Sequence, residues 1–220
     1  MESFPFGALV DLGGAHGQYL TFCSGTLIGR DWVLTAAHCL YDDLRHEYVL
    51  PTAVTPASCE GNGHSPQAFA LREVYVHATW RVCGRACGWG YDVGLIRLHT
   101  SSGGDHAGDA HGFLAMMPPL DLASGATFLG AVFGYPAEVN HVLQRHQMWG
   151  MLGSVANPGR ASVLETSRID ASPGTSGSAT LRSLNGRDYV VGVLVASSLN
   201  LNVIAKLSLD TLALVLSAMQ

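Results

Sequence analysis

A chain of 220 residues, 48% hydrophobic and 13% charged, with a net charge of −5, suits one large all-β domain or two small ones. Its 12 Lys and Arg form no cluster, which argues against the basic surface a nucleic-acid partner needs. No apolar run is long enough to span a bilayer, and Met1–Phe6 lacks the basic region and apolar stretch of an export signal, so neither nucleic acid nor membrane is an expected partner.

With 26 glycines and little charge, short strands joined by tight turns are expected. Gly7-Ala8-Leu9-Val10 reads as the first strand. Thr21–Ile28 and Trp32–Ala36 are apolar runs on either side of Gly29-Arg30-Asp31, a hairpin signal. Ala36–Leu40 suits one helical turn. Tyr48–Val54 and Ala68–Val76 carry β-branched or aromatic residues between turn formers, and Val93–Leu98 is a short apolar strand directly after Asp92. The stretch from Thr100 to Gly112, rich in Gly, Ser, Asp and His, reads as a linker between two halves. His99, His106 and His111 with Asp105 and Asp109 are better explained as a solvated polar loop than as metal ligands, since no regular element fixes them.

The second half continues in the same style. Strands are expected at Thr127–Phe133, Val142–Trp149, Met151–Ala156, Ser162–Ile169, Ser178–Leu181, Tyr189–Ala196 and Leu201–Leu207. Gly134-Tyr135-Pro136, Asn157-Pro158-Gly159 and Asn185-Gly186 are turn chemistry. Ser208 can cap a closing helix on which Leu209, Leu212, Ala213 and Leu216 recur at helical spacing. The expectation is an all-β chain of two antiparallel six-stranded barrels with a C-terminal α-helix. The first barrel, residues 1–112 including the linker at about 100–112, carries His38 and Asp92. The second, residues 113–220, carries Ser176 and the helix.

Three stretches hold the chemistry: Leu34-Thr35-Ala36-Ala37-His38-Cys39, Tyr91-Asp92-Val93-Gly94-Leu95-Ile96-Arg97-Leu98, and Ser172-Pro173-Gly174-Thr175-Ser176-Gly177-Ser178. A serine hydroxyl is a poor nucleophile until a base takes its proton. Histidine is the natural base near neutral pH, and a carboxylate fixes its tautomer and stabilises the imidazolium. The roles follow: Ser176 nucleophile, His38 general base and acid, Asp92 orienter. The N–H groups of Gly174 and Ser176 form the oxyanion hole. The order His38, Asp92, Ser176 is that of chymotrypsin-like barrels, and Ser178 breaks the G-x-S-x-G hydrolase elbow. Any one of these residues alone reads as an ordinary structural residue; the three together do not.

With Cys23-Ser24-Gly25-Thr26-Leu27-Ile28, these motifs resemble the trypsin/chymotrypsin family of serine peptidases over about residues 7 to 208. The G-x-S-G-S form and Gly134-Tyr135-Pro136 are closest to the bacterial V8-like, glutamyl endopeptidase branch. The resemblance implies a serine endopeptidase acting on protein or peptide substrates, with no cofactor or metal. It implies a Cys23–Cys39 disulfide beside the histidine, hence secretion or another oxidising compartment. The five cysteines leave the pairing of Cys59, Cys83 and Cys87 open, and their spacings are not those of a zinc ribbon.

Thr175 stands where animal trypsins carry an aspartate that takes a salt bridge from a freed N-terminus, so activation by trimming is not expected. Asp170, six residues before Ser176, stands at the position of the trypsin pocket floor; carried over directly it implies cleavage after basic residues, and the alternative is that it bonds nearby amides or pairs with Arg168 or Arg182. A glutamyl endopeptidase has a pocket histidine on the strand after the nucleophile, and Val193-Leu194-Val195-Ala196-Ser197 has none. Val195 and Ser197, with the segment around Asn202, would wall the pocket. The competing reading is a catalytically silent binding module on the same fold.

Overall fold

The structure is a computed structural model, and it describes residues 6–16, 19–58, 67–118, 122–139, 142–143, 147–160, 162–167, 169, 171–198 and 201–220. A 3-10 turn at Phe6–Ala8 leads into β1 (Leu9–His16), which pairs antiparallel along its whole length with β2 (Tyr19–Leu27). β3 (Trp32–Thr35) follows across the expected hairpin at Gly29-Arg30-Asp31. β4 (Tyr41–Asp42) and β5 (Glu47–Tyr48) make a small separate hairpin. β6 (Ala53–Pro56) and β7 (Leu71–Val76) come next. Helix α1 (Ala78–Cys83) and two 3-10 turns, Gly84–Cys87 and Trp89–Tyr91, then lead to β8 (Gly94–Leu98). The six long strands lie in the order β6-β1-β2-β3-β8-β7, and a bridge between Val54 and Phe69 closes them into a barrel.

The expected strand at Tyr48–Val54 is divided. Pro51 has no N–H to give a ladder, and the chain passes there from the β4–β5 hairpin to the barrel edge. The expected linker after residue 100 holds an ordered turn of helix, α2 (Ala107–His111). Its Gly108 N–H donates to Arg30 O at 2.7 Å, His106 Nδ1 lies 2.6 Å from Asp31 Oδ1, and Arg30 Nε donates to Asp109 Oδ2 at 2.7 Å. The composition of this stretch reads as loop, but its partners lie on the distant β2–β3 turn.

The second half begins with β9 (Ala115–Met116), followed by β10 (Thr127–Gly134), β11 (Glu138–Val139), β12 (Val142–Leu143), β13 (Trp149–Ala156), β14 (Val163–Thr166), β15 (Ala179–Leu184), β16 (Arg187–Ser197) and β17 (Asn202–Lys206). The strands pair in the ring β15-β10-β13-β14-β17-β16 and back to β15, curled around their own core, with β9 added parallel to β16. The β13–β14 seam is one residue pair, Ala156 with Glu165. Asn185 and Gly186, at φ 52° and 74°, turn β15 into β16 as their chemistry demands. The expected strand at Val142–Trp149 is two elements, β12 and the start of β13, on either side of residues 144–146, which lie outside the described set.

β16 is buried on both faces. Val191 and Leu194 face the core of the second barrel with Val132, Leu164 and Ile204, whereas Val190, Val193 and Val195 join the larger core that includes the first barrel. This is why Val190–Val195 is an almost unbroken apolar run rather than an alternating one. The closing helix α3 (Leu209–Ala218) is capped by Ser208, whose Oγ accepts from Thr211 N–H. Its buried stripe is Thr211, Val215 and Ala218, while Leu209 and Leu216 are exposed. Both stripes have helical spacing, and docking against the barrel decides between them.

Candidate active site

Strand pairing brings His38 and Asp92 together. Thr35, the last residue of β3, pairs with Gly94, the first of β8. His38 follows Thr35 by one short turn, Ala37–Cys39, and Asp92 precedes Gly94 by two residues, so the two side chains meet at one barrel end. Asp92 is fully buried. Its Oδ2 lies 2.6 Å from His38 Nδ1, and its Oδ1 accepts the His38 backbone N–H at 2.8 Å. The carboxylate therefore fixes both the ring and the backbone that carries it.

Burial lowers the His38 pKa, but the charge of Asp92 and its hydrogen bond outweigh that and hold it above the usual histidine value. Arg85 opposes the rise and Asp43 adds to it. These two form a pair of their own beside the site. Arg85 donates from Nε, Nη2 and its backbone N–H to the Asp43 carboxylate at 3.0, 2.8 and 3.1 Å. The Arg85 side-chain hydrogen bond is the main reason the Asp43 pKa lies below its usual value. Arg85 sits inside the loop closed by the Cys83–Cys87 disulfide, just ahead of Asp92. The pair thus ties the Asp92 loop to the segment that follows His38.

Ser176 arrives from the second barrel. Its carbonyl accepts the Ser24 N–H of β2 at 2.7 Å and lies 3.8 Å from Cys39 Sγ. Cys39 is bonded to Cys23, as the resemblance implied. Gly177, at φ 88°, packs so closely that a Cβ there would fall 2.1 Å from Ser24 O and 2.3 Å from Thr35 Oγ1. Glycine is needed for both the dihedral and the contact. Among the described residues Ser176 Oγ makes no hydrogen bond to His38.

The amides of the Ser172–Ser178 loop divide into two sets. Thr175 N–H donates to Ser172 O, Gly177 N–H to Leu194 O and Ser178 N–H to Thr175 O. The N–H groups of Gly174 and Ser176 donate to no acceptor among the described residues.

The specificity residues fare unevenly. Asp170, with Arg168 and Cys59, lies outside the described residues. Val195 is buried in the core shared with the first barrel, and Ser197 is exposed at the end of β16. Asn202, paired across the sheet with Ser197, is buried, and its Nδ2 donates to Ile169 O. Cys23, Cys39 and His38 place potential ligand atoms within 4.8 Å of one another, but the two sulfurs are bonded together and offer no thiolate. No helix among the described residues is long and apolar enough to cross a membrane. Sequence reasoning missed the Asp43–Arg85 pair and the hydroxyl of Ser24, which donates to Gly174 O at 2.9 Å. The only local signal was an arginine between two cysteines four positions apart.

The protein-family profile described as Trypsin matches residues 1–206. The chain belongs to the trypsin family. Trypsin-family relatives include chymotrypsin-like elastase family member 1 of Rattus norvegicus, 35% identical over 85 residues, a match covering 39% of this chain and 30% of that protein. Chymotrypsin-like elastase family member 3A of Homo sapiens is 31% identical over 121 residues, covering 50% of this chain and 38% of that protein. The matched stretch is thus well under half the length of either relative. Among solved structures, a Glu endopeptidase in complex with MPD superposes with a TM-score of 0.77 over 98% of this chain and 91% of that one, at 23% identity. At that identity the likeness carries the trypsin-family fold alone.

Proposed function

We propose that this chain is a serine endopeptidase that cleaves protein or peptide substrates through an acyl-enzyme. Ser176 attacks the carbonyl as His38 Nε2 takes its proton. Asp92 holds His38 in the tautomer that leaves Nε2 free and stabilises the imidazolium. The oxyanion lies between the N–H groups of Gly174 and Ser176. His38 then returns the proton to the leaving amine, and water repeats the sequence to release the acid. The observation that carries this reading is the fully buried Asp92, with both oxygens committed to His38, on a trypsin-family chain. Intact residues at all three positions favour catalysis over a silent binding module. The two disulfides support secretion or another oxidising compartment.

For specificity, Asp170 supports cleavage after Lys or Arg. The Glu endopeptidase neighbour offers the contrary preference, but Val193–Ser197 lacks the histidine expected for it.

Labelling with a fluorophosphonate tests the reaction. The wild type is expected to label at neutral pH, and Ser176→Ala is not. Failure of folded wild type to label overturns the enzyme reading. The cut sites in a peptide-library digest then decide between basic and acidic preference.

A further inference from the structure

An oxyanion hole made of main-chain amides works only if the peptides carrying them already point the right way. Two carbonyls flank Gly174, and both are held from outside the loop. Pro173 O accepts the Ala137 N–H at 2.7 Å. In a trans peptide the C=O and N–H point in opposite directions, so this bond aims the Gly174 N–H away from Ala137. Gly174 O accepts from Ser24 Oγ at 2.9 Å, across 150 residues of sequence.

Ser24 is fully buried on β2, and its Oγ also accepts the Tyr135 N–H at 2.8 Å. A single hydroxyl of the first barrel therefore binds the oxyanion loop and the Gly134–Ala137 segment that supplies the other arm. The two segments touch: a Cβ on Gly174 would lie 2.5 Å from Ala137 N and 2.6 Å from Tyr135 O. Gly174 itself sits at φ 95°. The residue before the nucleophile, Thr175, carries no charge, and its Oγ1 donates within the turn to Ser172 O at 2.6 Å. That side chain holds the turn together but does not anchor it to the rest of the protein.

We propose that Ser24 is a positioning residue for the oxyanion hole. Its hydroxyl fixes the Gly174 carbonyl while the Ala137 N–H fixes that of Pro173, and this two-point clamp presets the Gly174 N–H without a charged tether. The inference rests on the serine endopeptidase reading.

The test compares wild type, Ser24→Ala and Ala137→Pro, the last of which removes the second donor and puts a ring carbon in place of its hydrogen. Three quantities are measured: the rate of fluorophosphonate acylation, the affinity of a peptide boronic acid that forms a tetrahedral adduct, and kcat and KM on a peptide substrate. Thermal melts establish which variants are folded. Both variants are expected to lose about 10- to 100-fold in acylation rate, boronate affinity and kcat, less than the loss of a whole donor, with KM changed by less than about 3-fold. A folded Ser24→Ala that acylates at the wild-type rate overturns the proposal. So does one whose loss is all in KM. If Ser24→Ala fails to fold, Ala137→Pro decides: wild-type kcat and boronate affinity in that variant overturn the clamp. If wild type itself does not label, the enzyme reading fails, and the inference fails with it. If wild type labels and the variants match it, only the inference fails.

Discussion

The two halves of the site are held in different ways. His38 and Asp92 are joined by side-chain chemistry inside one barrel: a buried carboxylate, two hydrogen bonds, a disulfide at Cys39 and a guanidinium–carboxylate pair alongside. Ser176 is held through main-chain atoms, by the Ser24 N–H on its carbonyl and by glycines that let the loop press against β2 and β3. A base needs a defined pKa and tautomer, which side chains supply. On the proposed reading, a nucleophile flanked by its own oxyanion donors needs a defined backbone, which turns and close contacts supply.

Asp92→Asn strikes the first half hardest. It is expected to lower kcat by about 10⁴-fold, because the amide favours the wrong tautomer of His38. It also has a pH signature. In the wild type the raised His38 pKa is expected to put the acid limb of kcat/KM above the ordinary histidine value, since on the proposed mechanism only neutral His38 can act as base. Without the Asp92 charge, burial remains and lowers the pKa, so the limb moves down. The stability effect has the opposite sense to activity. Because the folded-state pKa is raised, the stabilisation from the His38–Asp92 pair is full below about pH 6.5 and fades as pH rises through the folded value. Thermal melts of wild type and Asp92→Asn should therefore converge on the alkaline side. Parallel melting curves at all pH values would deny the coupling.

Removing the disulfide within the first half costs less. Replacing Cys23 and Cys39 together by Ala opens a loop with a sequence separation of 16. That is expected to cost about 3 kcal/mol, or a melting temperature lower by about 6–12 °C. Unchanged melting would mean that the β2–β3 pairing alone holds the histidine turn.

Arg85→Ala is the mildest change. The arginine is half exposed, so its pair with Asp43 is worth at most about 1 kcal/mol after solvent screening, and the difference from wild type should shrink in high salt. Its charge also opposes the raised pKa of His38, so the acid limb should move up, opposite to the effect of Asp92→Asn. A limb that moves the same way in both variants would separate Arg85 from the electrostatics of the site.

Much of this was readable from local sequence, because the deciding physics is local. Asn185-Gly186 dictates its hairpin through φ alone. The Asp-x-Gly and Ala-Ala-His-Cys stretches place a carboxylate and an imidazole at strand ends, and Gly174 and Gly177 set Ser176 in a tight turn. The family resemblance tied these into one site and paired Cys23 with Cys39. The tertiary structure decided what depends on partners far away in the chain. Docking chose Thr211, Val215 and Ala218 as the inner face of α3, although Leu209 and Leu216 have the same helical spacing. Contacts with Arg30 and Asp31 made an ordered turn of an apparent linker. The Ser24 hydroxyl found its acceptor 150 residues away, which no pattern around position 24 encodes. Periodicity and turn chemistry act within a few residues, whereas the reach of the Arg85 guanidinium is fixed only when its own barrel folds, and that of the Ser24 hydroxyl only when two barrels close on each other.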